Sequence, residues 1–390
     1  MNAITRAVAV VLLLTAVARA AEAPQDAGRF SRGLSTKPDF FPLAVWLQDP
    51  KNAGRYKDVG VNLYVGLWRG PSEQQLEMLE KVGMPVICSL NDRSKRFLDR
   101  RIIVGWMHGD EPDNAQALPG GKGYGPPILP EKIVQDYQRI REIDPTRPVM
   151  LNLGQGVAWD NYIGRGVRRN KPEDYPQYVK GCDIASFDIY PMAHTSKEIA
   201  GKLWHVPFGV DRLRKWVNDE KPVWCCIETT CISNPQSALT PREVRSEVWM
   251  AIIHGAKGII YFAHQFKPNF IEAGLLAKPE MAKGIAEINA QVKELAPAIN
   301  SASVEGEVSV ESANKDVPID ILVRRRGDEL YVFAVAMRPG RTQAKFSGSK
   351  LSRSGSAEVL GEARRVQVEK GLWNDRFRDY EVHLYRLHVK

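Results

Sequence analysis

The feature that most constrains this chain is a set of eight short, nearly continuous apolar runs separated by amphipathic stretches. They lie at 42–47, 61–67, 84–90, 102–107, 148–153, 184–190, 222–227 and 258–263, and several are rich in β-branched residues. Runs of this kind suit strands buried on both faces, because a strand with one wet face alternates polar and apolar residues instead. Between them lie helical patterns. Ser72 begins a stretch to Val82 with Leu76, Leu79 and Val82 on one face, and Ser72 is placed to cap it. Stretches at 131–143, 208–217 and 282–296 follow the same period, and Thr240-Pro241 opens another to 254 as an N-cap followed by Pro at the first helical position. The segment 48–60 reads as a short irregular helix. Eight strands alternating with helices predict an α/β fold, a (β/α)8 TIM barrel over 39–300. The competing topology is an open doubly wound sheet, and the first strand lacks the Gly-rich phosphate loop that accompanies many such sheets.

The pattern changes near residue 300. From 301 to 390 the helical period is gone, and short alternating runs at 304–310, 319–323, 330–336, 357–360 and 382–389 are punctuated by Gly327-Asp328 and Pro339-Gly340. This predicts a small C-terminal antiparallel β-sandwich domain. The triplet Arg324-Arg325-Arg326 reads as a solvated turn at the end of one of these strands. At the other end, Arg6 precedes a wholly apolar run from 7 to 18 apart from Thr15, and Ala18-Arg19-Ala20 follows as a small-x-small signal. That order reads as a cleavable signal peptide over 1–20, followed by a polar leader over 21–38, and predicts a secreted or periplasmic protein. The apolar run is too short to span a bilayer, which takes about 20 residues, so no integral membrane contact is expected.

Charge excludes little by itself. The chain carries 54 Lys+Arg against 46 Asp+Glu, a formal +8, of which Arg6 and Arg19 would leave with the signal peptide. No basic stripe with interleaved aromatics accompanies the excess, so nucleic acid is not an expected partner. The five cysteines have no Cys-x-x-Cys spacing and sit mostly in apolar runs, where they read as small core residues. The seven histidines are scattered singly rather than in a ligand cluster, so neither a metal nor another cofactor is expected. A Gly-x-Ser-x-Gly elbow and a Walker loop are both missing.

In a barrel of this type the chemistry sits at the C-terminal ends of the strands. Those ends carry Trp46, Trp68, Asn91, Asp110-Glu111-Pro112, Asp188-Ile189-Tyr190, Glu228 and His264. Aromatic faces stack on the C–H faces of sugar rings, and amides and carboxylates bind hydroxyls. A Glu ends the fourth strand and another ends the seventh. Two carboxyl groups across a barrel mouth can flank a glycosidic bond, about 5–5.5 Å apart for retention and about 6.5–9.5 Å for inversion.

Gly-Trp-Met-His-Gly-Asp-Glu-Pro at 105–112 and Trp-Cys-Cys-Ile-Glu-Thr at 224–229 resemble strands four and seven of clan A glycoside hydrolases. The resemblance covers roughly the barrel. It implies a retaining glycosidase with Glu111 as acid/base and Glu228 as nucleophile, and Tyr190 in the place of a tyrosine that hydrogen-bonds the nucleophile. It further implies a carbohydrate substrate and a trailing sandwich like the accessory domain of many such enzymes; the strand-end residues Asp110, Tyr190, Trp46, Trp68, Asn91, Asp188 and His264 are the candidate contacts to that substrate. The chain departs from the clan at two points. Asp110 replaces the usual Asn before the acid/base, where its charge would raise the pKa of Glu111. His264, Gln265 and Phe266 stand where strand eight usually offers Trp. Asp110 also motivates the alternative reading, a catalytically inactive carbohydrate-binding barrel. The sequence leaves sugar, linkage and oligomeric state open.

Overall fold

The computed structural model describes residues 29–348, 351 and 354–389. The expected signal peptide lies outside the described residues, as do residues 21–28 of the leader.

The eight apolar runs form eight parallel strands, β1 (Leu43–Trp46), β2 (Leu63–Val65), β3 (Val86–Ser89), β4 (Ile103–Met107), β5 (Val149–Leu153), β6 (Ile184–Asp188), β7 (Val223–Glu228) and β8 (Gly258–Phe262). They close in chain order, with β8 pairing back onto β1. Alternation along each strand sends one set of side chains inward. Ala44, Trp46, Leu63, Val65, Ile87, Met107, Met150, Trp224, Cys226 and Ile260 fill the barrel interior as a packed core. The other set, Val45, Val86, Leu151, Cys225, Ile227 and their neighbours, packs against the surrounding helices.

Helices α1 (Ala53–Asp58), α2 (Glu73–Val82), α3 (Pro130–Ile143), α4 (Tyr175–Tyr178), α5 (His205–Trp216), α6 (Pro241–Ile253), α7 (Gly274–Ala277) and α8 (Pro279–Ile299) follow the strands. The expected caps are present. Ser72 and Gln75 form a reciprocal capping box at α2, and Thr240 and Glu243 form one at α6, with Pro241 in the first turn. The segment 48–60 holds a short 3-10 turn (Pro50–Asn52) before α1. The β3–β4 link carries only a 3-10 turn, Ser94–Phe97, so the helical ring is thin there.

Beyond α8, strands β9 (Ala302–Ser303), β10 (Val308–Ser312), β11 (Ile319–Arg326), β12 (Glu329–Ala336), β13 (Thr342–Gly348), β14 (Ser354–Val359), β15 (Arg364–Glu369), β16 (Leu372–Phe377) and β17 (Val382–His388) make one antiparallel sheet, curled into a sandwich. One expectation is corrected here. Arg324 and Arg325 are not in a turn: they pair with Tyr331 and Leu330 inside β11, Arg324 is buried, and Gly327-Asp328 makes the turn. The ladder of β11 against β12 continues through the triplet and orders it. The sheet packs on α6, where the Trp249 ring lies 5.3 Å from Phe333 and the Ser246 hydroxyl donates to the Tyr380 carbonyl at 2.7 Å. All five cysteines are free and buried. No helix among the described residues is long and apolar enough to cross a membrane.

Candidate active site

The segment after β4 is turned sharply. Glu111 has a positive φ of 42°, a left-handed conformation that costs a non-glycine residue about 1–3 kcal/mol and persists only where surroundings enforce it. The enforcement is visible. The Glu111 amide donates to the Asn152 carbonyl at 3.2 Å. Buried Asp113 accepts from the Gly154 amide at 2.9 Å and from the Tyr175 hydroxyl at 3.0 Å, beside Arg165 at 3.5 Å. Gly154 is needed for this packing, because a Cβ there would come within 2.6 Å of the Asn114 amide, a hydrogen-bond partner of Glu111.

Three carboxyl groups meet at the mouth. Asp110 accepts from the Asn152 side chain at 2.9 Å, and Asn152 accepts in turn from the Ser186 hydroxyl at 2.7 Å, which ties β5 to β6 under the site. Glu111 shares a hydrogen bond with Asp188 at the end of β6. The other Asp188 oxygen, Oδ1, is buried without a partner. Desolvation of its carboxyl pushes Asp110 up to about 6, with the Asn152 hydrogen bond opposing and the charge of Asp113 adding, although the residue as a whole is exposed. Burial pushes Glu111 up to about 7, with the Asp188 hydrogen bond opposing and the charges of Asp110 and Asp113 adding to the rise. Asp188 is held well above the ordinary carboxylate range, first by burial and then by the charge of Glu111. Three carboxyls so close cannot all ionise at neutral pH, so the cluster retains a proton there. Tyr190 faces the same group: burial and then the charge of Asp188 raise its hydroxyl, and its ring lies 5.1 Å from Phe262. Tyr162 forms part of the surrounding wall, its hydroxyl raised by burial and then by Glu111.

Glu228 belongs to a different constellation. It is 0% exposed, and its two oxygens accept from the backbone amides of Met192 and Ala193, each at 2.6 Å. Its remaining partner is Glu247 on α6, whose oxygens are buried with no other partner. Burial raises both, Glu228 to about 8 and Glu247 well above the ordinary range. The structure thus brings together Asp110, Glu111, Asp188 and Tyr190, and pairs Glu228 with Glu247 and with the amides of the loop that follows Tyr190.

The remaining candidates divide. Trp46 is packed in the barrel interior. Trp68 is exposed beyond β2, with the Arg69 guanidinium 5.7 Å from its ring. The Asn91 amide organises its own turn, donating to the Gly70 carbonyl at 3.1 Å and accepting from the Arg93 and Ser94 amides. His264 is buried beside Gln48, with Nε2 3.3 Å from the amide nitrogen, and stacks on Phe266. Among the described residues no group of three His, Cys, Asp or Glu could hold a metal ion. Sequence reasoning missed Glu247, Asn152, Asn114 and Tyr162. For Glu247 a signal existed: it lies three residues after Val244 and four before Ala251, on the apolar face of α6.

Residues 129–295, from before α3 into α8, match the family model for the glycoside hydrolase family 42 β-galactosidases. No curated protein matches the sequence. The α-amylase of Geobacillus thermoleovorans, solved with acarbose, superposes with a TM-score of 0.56 at 10% identity, covering 90% of this chain and 99% of that one. AmyP, solved with maltose, gives a TM-score of 0.52 at 9% identity, covering 90% of this chain and 96% of that one. At such identities the likeness is one of fold. The family match and the closed eight-strand barrel together indicate a clan A (β/α)8 glycoside hydrolase.

Proposed function

We propose that this chain is an exported, retaining glycosidase that works at the C-terminal mouth of the barrel, with Glu111 as the proton donor. The observation that carries this is the Glu111 carboxyl itself. It lies in the turn that follows β4, its backbone is held in a strained conformation by Asn152 and Asp113, and burial raises it to about 7. A group so tuned is protonated often enough near neutral pH to protonate a leaving oxygen and is ionised often enough to activate water afterwards.

Glu228 is the nucleophile of this proposal. Its place at the end of β7 supports the role; burial, the largest effect, raises it to about 8, and the two amides and the Glu247 carboxyl work against that rise, so the attacking group is its ionised fraction. To act, the carboxylate turns from the Met192 and Ala193 amides toward the mouth. It then attacks the anomeric carbon while Glu111 protonates the departing oxygen, and a water deprotonated by Glu111 releases the sugar. One observation favours a second reading, in which Asp188 is the second carboxylate and Glu228 a buried structural acid: Asp188 is the carboxyl hydrogen-bonded to Glu111.

The family match makes a β-galactoside the first substrate to try. The test is hydrolysis of aryl β-galactosides and a wider aryl glycoside panel by the wild type, Glu111→Gln, Glu228→Gly and Asp188→Gly, each with and without azide. Rescue of Glu228→Gly as the inverted glycosyl azide supports the first assignment, and rescue of Asp188→Gly alone supports the second. A wild type that binds glycans and turns over none of the panel refutes the enzyme and leaves the carbohydrate-binding barrel. For export, the expected result is that residues 1–20 direct a fused reporter out of the cytoplasm and are removed.

A further inference from the structure

The loop after β8 is built to show two aromatic rings to solvent. Gln265 and Ile271 pair as a two-residue antiparallel bridge, with amide-to-carbonyl bonds of 2.9 and 2.8 Å in the two directions. The Phe266 and Lys267 amides both donate to the Ile232 carbonyl of the neighbouring β7 loop, at 2.6 and 3.1 Å. At the base, the Glu272 carboxylate accepts from the Asp49 amide at 2.5 Å and its carbonyl accepts from the Gln48 side chain at 3.0 Å. A hairpin tied down at its base, its bridge and its flank has little conformational freedom left to lose. Its tip nevertheless leaves Phe266 47% and Phe270 63% exposed.

Those rings continue a line that starts at the carboxyl cluster. Tyr190 touches Phe262 at 5.1 Å, and Phe262 touches His264 at 5.3 Å. His264 then stacks with Phe266 at 6.0 Å and 10° and with Phe270 at 6.2 Å and 23°. The buried end of the line packs the mouth, and the exposed end points to a ligand, because about half of the Phe266 side chain and more of Phe270 stay in water on a fixed hairpin although both rings already pack on His264. Exposed Lys267 and Asn269 lie between them in sequence and supply hydrogen-bonding groups beside the rings. Apolar ring faces bordered by polar groups match the two surfaces of a pyranose, with its C–H face and its hydroxyl rim. Two rings are too small an area for a stable protein interface, which needs about 800 Å² on each partner.

We propose that Phe266 and Phe270 form a glycan-stacking subsite that holds a sugar unit outside the mouth, so that the protein takes an extended oligo- or polysaccharide rather than a single glycoside. As a subsite of the barrel mouth this rests on the glycosidase reading. Because the hairpin is already fixed, stacking adds affinity with little ordering cost.

The test separates binding from turnover. Full-length wild type, Phe266→Ala/Phe270→Ala and Phe270→Tyr are run in native affinity gels containing β-1,4-galactan, xylan or mixed-linkage β-glucan, and their kinetics are measured on 4-nitrophenyl β-galactoside. The expected result is that at least one polysaccharide retards the wild type, that the double variant loses about tenfold or more in affinity for it, and that Phe270→Tyr retains it. For an aryl monoglycoside turned over by the wild type, kcat/KM of the double variant stays within about twofold. Equal retardation of the wild type and the double variant overturns the subsite, as does retardation of neither by any polysaccharide. Concentration-dependent self-association of the wild type that the double variant loses also overturns it, because a second copy would then cover the rings. Retardation that depends on the rings, without turnover of any substrate, leaves the subsite standing and removes the glycosidase.

Discussion

Glu247→Gln tests the buried acid pair with a sign that intuition reverses. A Glu is ordinarily half-ionised at about 4.5, and burial with Glu228 holds Glu247 far above that value in the fold. Above about pH 4.5 the unfolded chain therefore releases a proton that the folded chain keeps. A raised carboxyl contributes stability that is complete below the unfolded value and is lost as the pH rises toward the folded one. At neutral pH part of that contribution has been lost, because neutral pH lies above the ordinary value of Glu247. Gln has nearly the same shape, does not titrate, and can donate from its amide the hydrogen bond that the protonated Glu247 gives to Glu228. Groups away from this pair act alike in both proteins, so the difference between the two stability curves reports on the Glu228–Glu247 pair. Relative to the wild type the variant gains stability as the pH rises above about 4.5, at a slope of up to about 1.4 kcal/mol per pH unit, the limit for one proton. Urea unfolding midpoints and slopes across that range measure it. Parallel curves would refute the reasoning, since they would mean that Glu247 is already ionised in the fold.

Three other outcomes follow from the same geometry. With Glu111 as the acid and Glu228 as the nucleophile, the active form has the first protonated and the second ionised; since they are raised to about 7 and about 8, kcat/KM rises toward a maximum between those values and falls above about 8, and the pH profile of aryl glycoside hydrolysis checks it. His254 joins α5 and α6 to β11 through Asp211 at 2.9 Å and Asp320 at 3.1 Å, and against the opposing pull of burial these aspartates raise it to about 9. A raised histidine stabilises fully below its ordinary 6.5 and loses that contribution as the pH passes 9. His254→Gln therefore costs about 1–2 kcal/mol at pH 6, discounted for the half-exposed aspartates, and close to nothing at pH 10 in matched unfolding curves. Trp249→Ala empties the contact between α6 and β12 and costs about 3–5 kcal/mol in the unfolding free energy of the full chain.

The barrel was legible because its strands carry the signal in composition alone: a strand covered on both faces has to be apolar along its whole length, and eight such runs stand out from the helices between them. The sandwich was only half legible for the opposite reason. Strands β12 and β17 are nearly wholly buried and are plain in the sequence, whereas β13, β15 and β16 alternate buried with solvated residues and read as loop. Arg324 shows the same limit from the other side. Three arginines in a row suggest a wet turn, and only the ladder to β12 reveals a strand that buries one of them.

The carboxylates divide along a different line. Their positions on the strands could be read, because strand ends follow from strand starts, but their partners could not. Glu111 and Glu228 end two strands of one barrel, and the natural inference was that both point at one substrate. What decides where a strand-end carboxylate points is the donor it meets, and donors come from loops and helices far away in sequence. For Glu111 that surrounding group is Asp188 and Asn114. For Glu228 it is two amides of the loop after β6 and an acid on α6. A sequence shows Met192 and Ala193 as side chains and says nothing of their N–H groups, so the strongest interactions on Glu228 are ones no residue pattern can display. The glycosidase reading consequently turns on a motion rather than on a residue. If Glu228 is the nucleophile, the 192–193 amides have to release it when sugar enters. A crystal of the protein with a 2-fluoro glycosyl inhibitor would then carry the covalent bond on Glu228 and show the loop after β6 displaced. A covalent bond on Asp188, with that loop unmoved, would assign the chemistry to the cluster that Glu111 already occupies.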